Sequence, residues 1–365
     1  MKIQQIQVLT VSYHNRKVGT VTITETGCCV FEYDNSWLED GFSISPLKLP
    51  LKAGMTVAEY MPFNGNFGVF EDSVPGGYGE YLLNKILERS NTSYRSLTPL
   101  QRLAIVGSSG MGALCYHPEI NVVDEQPHSS FDELQEMALQ VLSEKDSNHA
   151  ELLYRKSGNS GGARPKCLYA DSDGHWIVKF RHIYDPIHIG KTEYLYNKAA
   201  ETCGITVPEF RLIQGKYFAE KRFDIENGQR LHVATAAGLL NETIFPPKMD
   251  YHTLLQLTGF LTQDPVQVEE QFRRMCFNVY AENRDDHARN FSFICREGVW
   301  MLSPAYDLTN DNTLGEHATT ANGKGLPSDE DLIAVGTSIR ISRSRCLEII
   351  SEVKPIAKDL LQQIK

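Results

Sequence analysis

The run Asn283-Arg-Asp-Asp-His-Ala-Arg-Asn290 holds the densest set of residues able to do chemistry. Asp285 and Asn290 stand in a D-x-x-x-x-N spacing, with Arg284 directly before the aspartate. Phosphoryl-transfer loops need that pattern: a carboxylate orients and deprotonates an acceptor hydroxyl, and a short neutral oxygen ligand a few residues on holds a divalent cation. Asp307, in Ser303-Pro-Ala-Tyr-Asp-Leu308, follows two short strand-like runs, 291–295 and Val299–Leu302, joined at Glu297-Gly298. The same chemistry places its second metal-binding aspartate there. No Phe-Gly follows, so this is not the protein-kinase D-F-G. Each motif alone has a plain reading, a solvated acidic loop and a turn-initiating Asp. The Asp-Asp-His287 triplet, without further ligands, is a poor transition-metal site.

Two upstream features complete the set. Lys179 sits in the apolar run Trp176-Ile-Val-Lys-Phe180, where a charge needs an exposed face or a fixed partner. Glu193 shares a helical face with Tyr196, Ala200 and Cys203, so it points inward and demands a cation. Lys179 is the economical partner, and a lysine so paired can hold α- and β-phosphates. Strand alternation also allows an edge-facing lysine. The stretch Ser157-Gly-Asn-Ser-Gly-Gly-Ala-Arg-Pro-Lys166 lets backbone N–H groups approach an anion, although glycine pairs also mark ordinary loops. The four features occur in kinase order, so together they point to an ATP-dependent phosphotransferase. Its hinge would fall near Glu220-Lys-Arg-Phe-Asp224.

The elements that must position these residues are written in the rest of the chain. Its 365 residues, 41% hydrophobic and 22% charged, can bury one large core or two. Lys+Arg number 36 against 46 Asp+Glu, and a net charge of −10 disfavours DNA binding by the chain alone. No run approaches the roughly 18 apolar residues of a membrane span, and the N-terminus lacks the pattern of a secretory leader. The eight cysteines show no metal-ligand spacing and read as thiols of a reducing cytoplasm. To about Glu119 the pattern is mostly β with one good helix. It has a turn at 15–17 between two strands, then a helix over 78–89 opened by Gly76-Gly77. Residues 118–130 form the best linker, and Ser130-Phe-Asp-Glu133 is a capping box. Beyond it, strands fall at 166–170 and 175–180, with helices over 191–203 and from Pro265. The C-terminus reads as helical pieces at 329–334 and 343–353, then a short last helix after Pro355.

At this level of detail the sequence resembles the HipA family, serine/threonine-kinase toxins of bacterial toxin–antitoxin pairs. The matching strings are Gly162-Ala-Arg-Pro-Lys166, Ile177-Val-Lys-Phe180, Lys221-Arg-Phe-Asp224, Asp285-Asp-His-Ala-Arg-Asn-Phe-Ser292 and Pro304-Ala-Tyr-Asp-Leu308. Pro46-Leu-Lys-Leu-Pro50, Phe70-Glu-Asp-Ser-Val-Pro75 and Gly110-Met-Gly-Ala-Leu114 match in the N-terminal part. The resemblance covers nearly the whole chain. It implies an α+β, bilobal protein-kinase-like fold in three parts. These are an N-terminal β-rich subdomain (1–120), a kinase N-lobe (121–220) and an α-helical C-lobe (221–365). It implies Asp285 as catalytic base, Asn290 and Asp307 as Mg2+ ligands, and Lys179 as the ATP lysine. Glu193, Glu220, Phe223, Gly161, Gly162, His287 and Arg289 complete the implied ATP site.

Family members phosphorylate protein serines, with aminoacyl-tRNA synthetases as the known substrate class. They pair with a small helix-turn-helix HipB-like antitoxin that represses the operon. DNA contact would then run through that partner, and no membrane is implied. The family's toxins can autophosphorylate a serine of the Gly-rich loop. Asn159 stands at that place here, with Ser157 and Ser160 beside it as candidate acceptors. The chain is short after Asp307, which implies a trimmed C-terminal lobe. Two further readings share the residues: a small-molecule or lipid kinase, and a catalytically silent antitoxin-binding pseudokinase. Retention of Lys179, Asp285, Asn290 and Asp307 argues against the second.

Overall fold

A computed structural model of the chain describes residues 3–121, 129–157, 161–310 and 314–364. Asn159, Ser160 and residues 122–128 of the expected linker lie outside the described residues. The chain begins with strands β1 (Val8–Tyr13) and β2 (Arg16–Ile23). Between them His14 and Asn15 carry φ of 47° and 63°, as a two-residue hairpin turn of type I′ requires. The turn therefore lies at 14–15 rather than 15–17, because Arg16 and Lys17 already pair with Tyr13 and Ser12. Strand β3 (Cys29–Tyr33), helix α1 (Asn35–Asp40), β4 (Met55–Val57), α2 (Gly68–Glu71), α3 (Tyr78–Glu88), α4 (Pro99–Val106) and β5 (Leu114–His117) follow. The five strands form an antiparallel sheet in the order β4-β3-β2-β1-β5. This part is more helical than expected. Helix α4 starts on a capping box, Thr98 with Gln101, and Pro99 at its first position needs no N–H partner.

The next part opens with α5 (Phe131–Leu142), capped reciprocally by Ser130 and Glu133 as expected, and α6 (Ala150–Ser157). Strands β6 (Lys166–Asp171) and β7 (Gly174–Lys179), helix α7 (Ile189–Thr202), and strands β8 (Phe210–Ile213) and β9 (Tyr217–Lys221) build a four-stranded antiparallel sheet, β6-β7-β9-β8. Helix α7 stops at Gly204, whose φ is +75°, while the Ile205 N–H closes back on the Ala200 carbonyl. That is a Schellman stop, and glycine takes the left-handed position at no steric cost.

The C-terminal part contains the ribbon β10 (Ile225–Glu226) and β11 (Gln229–Arg230), then β12 (His232–Thr235), α8 (Ala236–Leu240), α9 (Tyr251–Thr262) and α10 (Pro265–Tyr280). Strands β13 (Ser292–Arg296) and β14 (Val299–Leu302) complete a three-stranded sheet with β12, and α11 (Asp329–Ser338) and α12 (Arg343–Gln363) close the chain. Helix α10 buries Phe272, Met275, Cys276 and Phe277, and each Phe or Met side chain contributes roughly 1.5–3 kcal/mol on burial. The expected break at Pro355 does not occur: α12 runs 21 residues with Pro355 inside it. The buried stripe Cys346, Ile349, Ile350, Val353, Ala357 and Leu360 keeps helical phase across the proline, and its packing outweighs the missing N–H.

The first and last parts are fastened by polar groups. Arg230 donates from Nη1 to the Ser108 carbonyl at 2.6 Å, and also from Nε and Nη2 to the carbonyls of Gly112 and Gly110. Asp224 accepts the Gly112 N–H at 2.8 Å. No helix among the described residues is long and apolar enough to cross a membrane. All eight cysteines are free, and six of them are buried.

Candidate active site

Lys179 ends β7 with its side chain buried, and three carboxylates surround its ammonium. Nζ donates to Asp307 Oδ1 at 2.8 Å and lies 3.5 Å from Glu220 Oε1 and 3.6 Å from Glu193 Oε2. Glu193 is there because α7 turns that face inward beside Tyr196 and Ala200, and Glu220 because β9 pairs with β7. Burial alone would depress the Lys179 ammonium, but Asp307, Glu193 and Glu220 outweigh it and hold its pKa above the usual lysine value. Asp307 is held well below the carboxylate range: burial opposes ionisation, and Lys179, Lys166 and Arg164 overcome it. Burial raises Glu193 despite Lys179 and Arg164. Asp307 also has φ of 55°, a left-handed backbone uncommon outside glycine and asparagine that turns the carboxylate back over Lys179.

The second half of the site hangs from the end of α10. Glu282 adopts φ of 53°, its N–H bonds the Val279 carbonyl, and the Asn283 N–H closes on Asn278 at 2.9 Å. This Schellman stop throws residues 284–290 out of the helix as a loop. Asn290 Nδ2 donates to the Asp285 carbonyl at 2.7 Å, which ties the two ends of the D-x-x-x-x-N motif together. His287 Nδ1 accepts the Arg289 N–H at 3.3 Å, so Nε2 carries the ring proton, 3.7 Å from Asp285 Oδ1. Burial holds His287 below the ordinary imidazole value, against the pull of Asp307.

Beneath the loop, Asp286 is buried and takes the Tyr251 hydroxyl at 2.6 Å, His317 Nδ1 at 3.1 Å and the Thr319 N–H at 3.2 Å. Of the two adjacent aspartates, Asp286 is thus the anchor, while the Asp285 side chain is 41% exposed and faces outward.

Two family models match the chain: the HipA N-terminal domain over residues 9–117 and the HipA-like C-terminal domain over 158–360. The chain belongs to the HipA kinase-toxin family. The Sinorhizobium fredii protein named "Putative kinase Y4dM" is 24% identical over 338 residues, 83% of this chain and 77% of that protein. Among solved structures, HipA of Shewanella oneidensis MR-1, in a complex with HipB and operator DNA, superposes with a TM-score of 0.72. It is 17% identical, over 98% of this chain and 90% of that one. The α+β kinase-like fold follows from that likeness.

On this HipA fold, Lys179, Glu193, Glu220 and Asp307 come together in one buried group, and Asp285, His287 and Asn290 in one loop. Phe223 follows β9 and lies against Tyr306, next to Asp307, with ring centroids 5.5 Å apart. Gly161 and Gly162 have φ of 65° and 74°, and Lys166 Nζ donates to the Gly161 carbonyl at 2.5 Å. Arg289 does not join the Lys179 group. Its guanidinium turns to the N-terminal subdomain, 4.0 Å from Glu71, because the one-turn 3-10 helix at Ala288–Asn290 points it away. Ser157 ends α6 buried, with its hydroxyl on the Tyr154 carbonyl at 3.1 Å.

Two residues that motif reading passes over belong to the site. Lys166 is buried and stands directly opposite Lys179 across the β6–β7 ladder. Burial and the neighbouring Lys179 depress its ammonium. Arg164 bonds Asp185 at 3.1 Å and reaches Glu193 at 3.5 Å. Both lie in the string Gly162-Ala-Arg-Pro-Lys166, where their charge amid small residues is the available signal.

Proposed function

We propose that this chain is an ATP-dependent serine/threonine protein kinase, the toxin partner of a small helix-turn-helix HipB-like antitoxin. One observation carries the reading: Lys179 Nζ, buried, is bonded to Asp307 at 2.8 Å with Glu193 at 3.6 Å behind it. A charge this far from water and this crowded by carboxylates is costly to bury, and such strongly perturbed groups cluster at functional sites. The donor set fits a hard divalent cation such as Mg2+. It offers only oxygens, from the partly open Asp307 carboxylate and from the Asn290 amide, whose Nδ2 is already engaged by Asp285. Bound there, Mg2+-ATP supplies the phosphoryl group and the charge neutralisation that its transfer requires. Lys179 and Lys166 would grip phosphate oxygens, and Glu193 keeps Lys179 aimed. Phe223, just after β9, would bound the adenine end, while Glu220 within β9 helps hold Lys179.

Asp285 would accept the proton of an incoming serine hydroxyl. Its partial exposure suits a base that must meet a protein chain, and the neutral His287 beside it cannot neutralise it. The likeness to a HipA seen with HipB and operator DNA supports an antitoxin partner and DNA contact through it. The free cysteines fit a cytoplasmic site of action. An aminoacyl-tRNA synthetase is the substrate class the family resemblance suggests. Self-phosphorylation at Ser157 would first need the last turn of α6 to unwind.

The test is transfer of γ-labelled phosphate from Mg-ATP into proteins of a bacterial extract, comparing wild type with Asp285→Asn. Phosphoserine in a protein band with wild type alone is the expected result. Label confined to a metabolite or lipid would instead establish the small-molecule kinase reading. No transfer despite bound ATP would establish the silent binder.

A further inference from the structure

The N-terminal subdomain reaches both halves of the kinase site through one short segment, Glu71 to Tyr78. At its end the Tyr78 N–H donates to the Gly162 carbonyl in the Gly-rich loop at 2.9 Å. Tyr78 is the first residue of α3, where an amide has no acceptor inside its own helix. Gly162 thus supplies the partner that the helix cannot. Gly77 has φ of 54°, and a Cβ there would fall well inside contact distance of the same Gly162 carbonyl. The two main chains therefore touch at a place that admits only glycine.

The same segment meets the catalytic loop. A Cβ on Gly76 would stand 3.1 Å from Arg289 Nη1, and Glu71 Oε1 lies 4.0 Å from Arg289 Nη2. Asn66 Nδ2 holds the other Glu71 oxygen at 2.9 Å. Between these contacts Asp72 bonds the Thr235 N–H and hydroxyl, both at 2.7 Å, and so fixes the segment to the junction of β12 and α8.

We propose that Glu71–Tyr78 is a positioning element of the kinase site, with the Tyr78 amide and Gly77 holding the Gly-rich loop in its nucleotide-binding place. In a planar trans peptide the N–H points opposite to the carbonyl. Turning the Gly162 carbonyl toward α3 therefore turns the Ala163 N–H away from it and fixes that donor before nucleotide arrives. The N-terminal subdomain then acts on nucleotide affinity without touching the nucleotide. Because linkage is reciprocal, nucleotide must in turn tighten the contact.

This inference rests on the kinase reading, and the experiment separates the two. A fluorescent ATP analogue with Mg2+ is titrated into the full chain as wild type, Gly77→Ala and Gly54→Ala. Gly54, in the same subdomain, has φ of +98° with open space around it, so its variant carries similar backbone strain without touching the loop. Gly77→Ala is expected to weaken binding about tenfold while Gly54→Ala leaves it unchanged. Equal affinities in all three, or equal losses in both variants, overturn the proposal. No binding by wild type overturns the kinase reading instead.

Amide exchange on the unmodified chain does not depend on a variant folding. The Tyr78 amide should exchange slowly and slow further with the Mg2+-bound analogue. Exchange there at the rate of a free amide, with or without nucleotide, overturns the proposal.

Discussion

At the scale of single residues, the site works as a balance around Lys179. Removing the lysine leaves the buried Glu193 and Glu220, with the partly open Asp307, without their shared cation, so Lys179→Ala should cost about 3–5 kcal/mol of stability as well as activity. Chemical denaturation of the purified variant measures that directly. Asp307 gives a pH signature. Its folded pKa lies below its unfolded value, so its contribution is complete above about pH 4 and fades as pH falls toward the folded pKa. The stability gap between wild type and Asp307→Asn should therefore be full at neutral pH and narrow in acid. A gap that widens in acid would contradict the assignment. Asp285 and Asn290 stood out in the sequence by their D-x-x-x-x-N spacing, Lys179 as a charge inside an apolar strand, and Asp307 by its place after two short strands. Lys166 did not, because what matters is its register opposite Lys179, and register exists only once β6 and β7 pair. Arg289, which the resemblance implied for the nucleotide site, has its guanidinium beside Glu71 of the N-terminal subdomain instead of in the Lys179 group.

At the scale of elements, the loop that carries the chemistry is held from below. Asp286 binds Tyr251 in α9 and His317 and Thr319 in the segment before α11, and Asn278 of α10 adds a bond to Tyr251 at 2.9 Å. Cutting this anchor should loosen Asp285 without touching the nucleotide pocket. We expect Asp286→Ala to lower kcat about 100-fold, with KM for ATP little changed, and to lower the melting temperature. A raised KM with unchanged kcat would contradict the positioning role. The spacing to Asn290 singles out Asp285, but that Asp286 turns inward as the anchor follows only from the Schellman stop of α10 and the partners beneath it. The same limit explains α12. A proline reads as a helix end, and its tolerance depends on a buried stripe continuing in phase beyond it. Helix α4 is a different case, since its Thr98–Gln101 box and Pro99 are plain local signals.

At the scale of the whole molecule, the N-terminal subdomain and the kinase-like body form one mechanical unit. Arg230 grips three carbonyls of residues 108–112, Asp224 takes the Gly112 N–H, and Glu71–Tyr78 spans the two loops of the site. None of these contacts follows from periodicity, because main-chain carbonyls carry no sequence signature. The helix over 78–89 and the strand over 166–170 beside them could be read, but the joint could not. A kinase of this kind requires the pocket around Lys179 and Asp307 to be a Mg-ATP site. The most direct measurement is calorimetric titration of the full chain with a non-hydrolysable ATP analogue, with and without Mg2+, in wild type and Asp307→Asn. Wild type should bind with an affinity that Mg2+ strengthens, and Asp307→Asn should lose that Mg2+ dependence with affinity falling about tenfold or more. No binding by wild type, or binding indifferent to both Mg2+ and Asp307, would contradict the Mg-ATP site.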